Sequence, residues 1–169
     1  MRKIALTLLA GGLLAATVAA PAFARQAAPA PTIASIVVNS PDHTILESLV
    51  VDLGLAGTLG QRGQYTVFAP TDAAFEAILP AVAGCSDAQL TDIVLYHVAR
   101  GARDSGDVVG SSKIRMLNGD FAPVVVTPDP LNVSVGGADL NLGGLDIRAS
   151  NGIVHVTDEV LVPADFAGC

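Results

Sequence analysis

Two cysteines and three histidines are the residues best suited to covalent or metal chemistry, and their spacing limits what they can do. Cys85 and Cys169 allow one connectivity: a bridge closing a long loop in an oxidising compartment, or two free thiols in a reducing one. His43, His97 and His155 stand far apart, with neither an H-x-x-x-H pair nor a paired C-x-x-C, so no metal site is assigned. Asp104-Ser105-Gly106-Asp107 offers oxygen ligands but lacks the repeated donors and terminal glutamate of an EF-hand loop. There is no G-x-S-x-G, no P-loop and no G-x-G-x-x-G behind a strand. No cofactor is implied and no enzyme is expected. Asn132-Val133-Ser134 is a formal glycosylation sequon, a three-residue pattern that a surface turn also satisfies.

These groups sit in a chain of 169 residues with 16 acidic against 9 basic side chains, a net charge of −7. Arg2 and Lys3, the apolar run Ile4 to Val18 and Ala22-Phe23-Ala24 form the n-region, h-region and cleavage site of a signal peptide over residues 1–24. The product is expected to be secreted or periplasmic, which favours the Cys85–Cys169 bridge. No later run is long and apolar enough to span a bilayer, so no transmembrane anchor is expected after cleavage. The remaining basic residues are scattered singles in an acidic chain, which excludes nucleic acid as a partner. Residues 25–32 have the Ala/Pro composition of a spacer, leaving one folded domain over 33–164 and a short tail, 165–169.

Positioning elements follow from periodicity and punctuation. Ser40-Pro41-Asp42 reads as a helix start, and Ile45, Leu46, Leu49, Val50 and Leu53 share one face of a helix ending near Gly54. Tyr65 to Phe68 reads as a strand ended by Ala69-Pro70. Thr71 then caps a helix that turns Phe75, Ile78 and Leu79 inward and stops at Pro80. Ser86 and Gln89 have capping-box spacing, with Leu90, Ile93, Val94 and His97 on one face beyond them. Short strands are expected at 107–109, 113–117, 121–127, 131–135, 140–142 and 153–162, separated by Asn118-Gly119, Pro128-Asp129-Pro130, Gly136-Gly137, Gly143-Gly144 and Asn151-Gly152. Helices first and antiparallel strands later define an α+β domain.

Tyr65-Thr66-Val67-Phe68-Ala69-Pro70-Thr71-Asp72-Ala73-Ala74-Phe75, then Leu95-Tyr96-His97-Val98, then Ala149 to Val156 followed by Val160-Leu161-Val162-Pro163, resemble in order and spacing the three motifs of the fasciclin domain family. The resemblance covers about residues 33 to 164 and implies a β-wedge of two small sheets with packed helices. It also implies adhesion to a cell-surface or matrix protein or to polysaccharide; carriage of a small apolar ligand such as a lipid or carotenoid is the alternative. In animal relatives the Tyr-His motif and an Asp-Ile pair are associated with integrin binding, and they match Tyr96, His97, Asp146 and Ile147. At each position a bland reading stays open: a buried phenol at Tyr96, a satisfied core imidazole at His97, and a turn beside a core residue at Asp146 and Ile147. A single domain of this kind reaches multivalency through weak self-association or many copies on a surface.

Overall fold

The computed structural model describes residues 30–61, 63–128, 131–166 and 168–169. The expected signal peptide, the spacer as far as residue 29 and the Asp129-Pro130 part of one turn lie outside them. The elements run α1 (Ile33–Val38), α2 (Thr44–Asp52), α3 (Ala56–Gly60), β1 (Tyr65–Pro70), α4 (Asp72–Val82), α5 (Asp87–Tyr96) and β2 (Val98–Arg100). There follow α6 (Ser105–Val109), β3 (Lys113–Arg115), β4 (Phe121–Pro128), β5 (Leu131–Val135), β6 (Ala138–Asp139), β7 (Ile147–Ala149) and β8 (Gly152–Thr157).

Two four-stranded sheets result, ordered β2-β1-β8-β7 and β3-β4-β5-β6. The second is antiparallel throughout, whereas in the first β1 and β8 run parallel in register from Tyr65↔Gly152 to Pro70↔Thr157. Single bridges, Ala99↔Met116 and Leu140↔Thr157, stitch the sheets together at two places and give the wedge. β1 is buried on both faces, as a central parallel strand must be. Val67 and Ala69 face a core formed with α1, α2 and α3, while Phe68 enters the core between the sheets with Ala99, Ile114, Val135 and Leu161.

The departures from the sequence reading have local causes. Helix α2 begins at Thr44, not at Ser40, because the Ser40 hydroxyl is bonded to the His43 ring (2.7 Å). The cap comes instead from Asp72 on α4, whose carboxylate accepts from the N–H of Thr44 (3.1 Å), its hydroxyl (2.7 Å) and the N–H of Ile45 (2.9 Å). Strand β1 continues through Pro70, and α4 carries Pro80 within its last turn, ending two residues beyond it, with Leu79 exposed. The strand expected at 107–109 is helix α6, because the Asp104 side chain accepts from the N–H of Asp107 (2.9 Å) and caps it. Pairing resumes at Ala138 instead of Leu140, since Gly136 and Gly137 at φ 61° and 87° turn the chain back in two residues. The last strand ends at Thr157, and α1, α3 and β7 are elements the sequence reading did not contain. The capping box holds: the N–H of Gln89 donates to Ser86 Oγ (3.5 Å) and that of Ser86 to Gln89 Oε1 (3.0 Å).

Candidate functional site

Helix α5 delivers Tyr96 and His97 to the interior at the point where helix becomes strand. His97 is 1% exposed; its Nδ1 donates to the Ile93 carbonyl (2.8 Å), and its Nε2 accepts from the N–H of Leu161 (2.9 Å). That pairing requires a neutral ring, and burial pushes the imidazole down from 6.5 to about 4, outweighing the pull of the Ile93 carbonyl. Tyr96 is 2% exposed, with the Gly136 turn laid against its ring. Burial, then the charges of Asp120 and Asp165, pushes its phenol above the usual range. Both side chains are thus enclosed within the chain, Tyr96 in the core between the sheets and His97 bonded to backbone on both ring nitrogens.

Asp146 and Ile147 are placed differently. Asp146 takes a left-handed backbone, φ 57°, tolerable for aspartate and unusual for other side chains. Its carboxylate accepts from the hydroxyl (2.6 Å) and N–H (2.7 Å) of Ser105. The Ser105 hydroxyl is the largest influence holding it below the ordinary carboxylate range; partial burial opposes, and the Ser105 N–H, His155 and Arg148 assist. Asp146 also donates its own N–H to His155 Nδ1 (3.3 Å), and His155 Nε2 donates to the Arg103 carbonyl (2.9 Å). Ile147 follows on the edge strand β7 and is 37% exposed.

One chain of contacts runs between the two pairs. Phe68 donates its N–H to the His97 carbonyl (2.8 Å), its ring stacks on the fully buried His155 at 5.7 Å, and that imidazole accepts the Asp146 N–H at Nδ1. Ser105, His155 and Arg103 were missed as members of this cluster. His155 lay within a quoted motif, but nothing local ties it to residues 103 and 146. Among the described residues no three His, Cys, Asp or Glu side chains converge to hold a metal, and no helix is long and apolar enough to cross a membrane. Cys85 and Cys169 are joined in a disulfide across a sequence separation of 84.

The fold class is an α+β wedge of two small four-stranded sheets with helices packed on it. The sequence matches the fasciclin domain over residues 41–163, and the chain belongs to that family. Immunogenic protein MPB70 of Mycobacterium bovis is 38% identical over 134 residues, covering 74% of this chain and 65% of its own length. Transforming growth factor-beta-induced protein ig-h3 of Sus scrofa is 31% identical over 140 residues, 80% of this chain but 20% of that one. Human periostin is 25% identical over 136 residues, 78% of this chain and 16% of its own. The chain therefore spans just under two thirds of MPB70 and a fifth or less of these animal proteins. The FAS1 domain pair of the insect cell adhesion molecule fasciclin I superposes with a TM-score of 0.67 over 80% of this chain and 52% of that one, at 16% identity, a likeness of fold.

Proposed function

We propose that the protein is a secreted or periplasmic, non-catalytic binding module that attaches to a cell-surface or matrix component through the edge formed by β7 and the 103–105 loop. The observation that carries this reading is the division of labour within the cluster. His97 and His155 hold backbone, Tyr96 is packed in the core, and Asp146 is bonded to Ser105, so Ile147 alone of the four residues singled out is turned to solvent as an apolar anchor. Membership of the family of an insect cell adhesion molecule supports it. The apolar-carrier reading has less support. The apolar cavity between α2, α4 and α5, lined by Ile45, Leu49, Phe75, Ile78 and Val94, measures about 170 Å³. That is well short of the roughly 300 Å³ at which pockets begin to accept drug-sized ligands.

The test is retention of immobilised protein on fractions of the native cell envelope. Ile147→Asp should reduce retention at least about tenfold, as loss of an interface anchor does, with the melting temperature unchanged. Tyr96→Phe should leave retention intact. Equal retention of Ile147→Asp and the parent sinks the assignment, and a stoichiometric pigment or lipid co-purifying from the native host replaces adhesion with carriage.

A further inference from the structure

The basic residues, dispersed in sequence, are gathered in space. Arg100 at the end of β2, Arg103 in the following loop and Arg115 at the end of β3 line one cavity of about 390 Å³, floored by Met116 and Leu117 and opening beside Gly119. Antiparallel pairing of Ala99 with Met116 sets the next two positions, Arg100 and Arg115, directly across the seam between the sheets. Like charges so opposed destabilise a sheet unless a counter-charge lies between them. The third member is held firmly. Arg103 donates its N–H to the hydroxyl of the fully buried Thr66 (2.8 Å), and its carbonyl accepts from His155 (2.9 Å). Its guanidinium Nε is nonetheless buried without a hydrogen-bond partner among the described residues. The acidic residues adjoining this region in sequence are engaged elsewhere: Asp104 caps α6, and Asp120 accepts from the Asn118 amide (2.8 Å). Farther along β3, Lys113 lies 4.7 Å from the centre of the Phe121 ring and Arg115 lies 6.0 Å from it, so an exposed aromatic face continues the basic strip.

We propose that this seam is an anion-binding subsite in which Arg100, Arg103 and Arg115 hold the carboxylate of an acidic sugar unit, making a uronate-bearing polysaccharide the partner. Guanidinium forks match a planar carboxylate bidentately, the cavity lies within the size range of small-ligand pockets, and the partly exposed Leu117 in its wall gives a sugar ring an apolar surface. A net charge of −7 over the whole chain repels a nucleic-acid backbone, with its charge every ~1.7 Å, far more than a polymer bearing one carboxylate per sugar. The subsite rests on the binding-module reading and names its partner class.

Calorimetric titration of the full chain with tetragalacturonate, its methyl ester and a tetraglutamate peptide tests it. The free acid should bind and the ester should not. Arg103→Gln and Arg115→Gln should each weaken binding at least about tenfold, the usual scale for a charge-assisted contact, while Ser48→Glu on the exposed side of α2, which changes the net charge equally, should leave it within about twofold. Because the ester comparison needs no variant, a folding defect cannot hide the answer. Equal affinity for acid and ester, equal weakening by Ser48→Glu, or equal affinity for tetraglutamate each overturns the assignment. Envelope retention that depends on Ile147 but not on Arg103 or Arg115 defeats the subsite and leaves the binding-module reading standing.

Discussion

His97 is a motif residue whose two ring nitrogens both bond backbone in the core. Its folded pKa of about 4 lies below the ordinary 6.5, so the unfolded chain binds the extra proton between those values. The stability this imidazole contributes is complete above pH 6.5 and is lost as pH falls toward 4, amounting to about 3 kcal/mol over that interval. His97→Gln keeps a donor and an acceptor but cannot titrate. Urea midpoints measured from pH 7.5 to 4 should fall for the parent and stay flatter for the variant; an unchanged slope in the variant contradicts the buried, neutral ring. Asp72 and Asp146, both held below the carboxylate range, give up their contributions only at lower pH, which separates the two effects. The Tyr-His motif drew attention to His97, but the ring's orientation depends on Leu161, which lies 64 residues away and donates to it.

At the scale of elements, legibility tracked whether the fixing interaction was local. The Ser86–Gln89 box and the Thr71 cap, each closed within three residues, were readable. The start of α2 was not, because its cap is Asp72, nearly thirty positions away; α1 has a local cap, Thr32 accepting from the N–H of Ser35 (3.2 Å), but its 6 residues are too few to show a helical period, and its Ile33 N–H is held by the distant Asn151 amide oxygen (2.8 Å). The arginine seam belongs to the same class: three singles in sequence become neighbours only when β2 meets β3. Ser86→Ala should cost about 1 kcal/mol, the ordinary value of a helix cap. Gly152→Ala should cost on the order of 3 kcal/mol or more, since an added Cβ would collide with the Tyr65 carbonyl oxygen and crowd Ile33. Denaturant titrations of both variants check this, and a Gly152→Ala loss no larger than the Ser86→Ala loss refutes the close approach of β8 to β1.

For the whole molecule, the Cys85–Cys169 disulfide ties the end of the chain back to the loop between α4 and α5. Chain-entropy reasoning for a loop of this length gives roughly 4 to 5 kcal/mol. Reduction, or Cys169→Ser, should lower the unfolding free energy by about that amount with the far-ultraviolet spectrum preserved; a change below about 1 kcal/mol would show that the tail adds little. Cysteine count made the pairing legible without any fold. The wedge was reachable only through resemblance, because alternating apolar residues do not say which strands pair.

That β1 lies between β2 and β8 also orders events in time. A chain emerging from the ribosome displays Tyr65–Pro70 long before Gly152–Thr157 exists, so its middle strand waits with one flank bare. Such a delay makes any product truncated before residue 152 a sticky fragment and not a smaller domain.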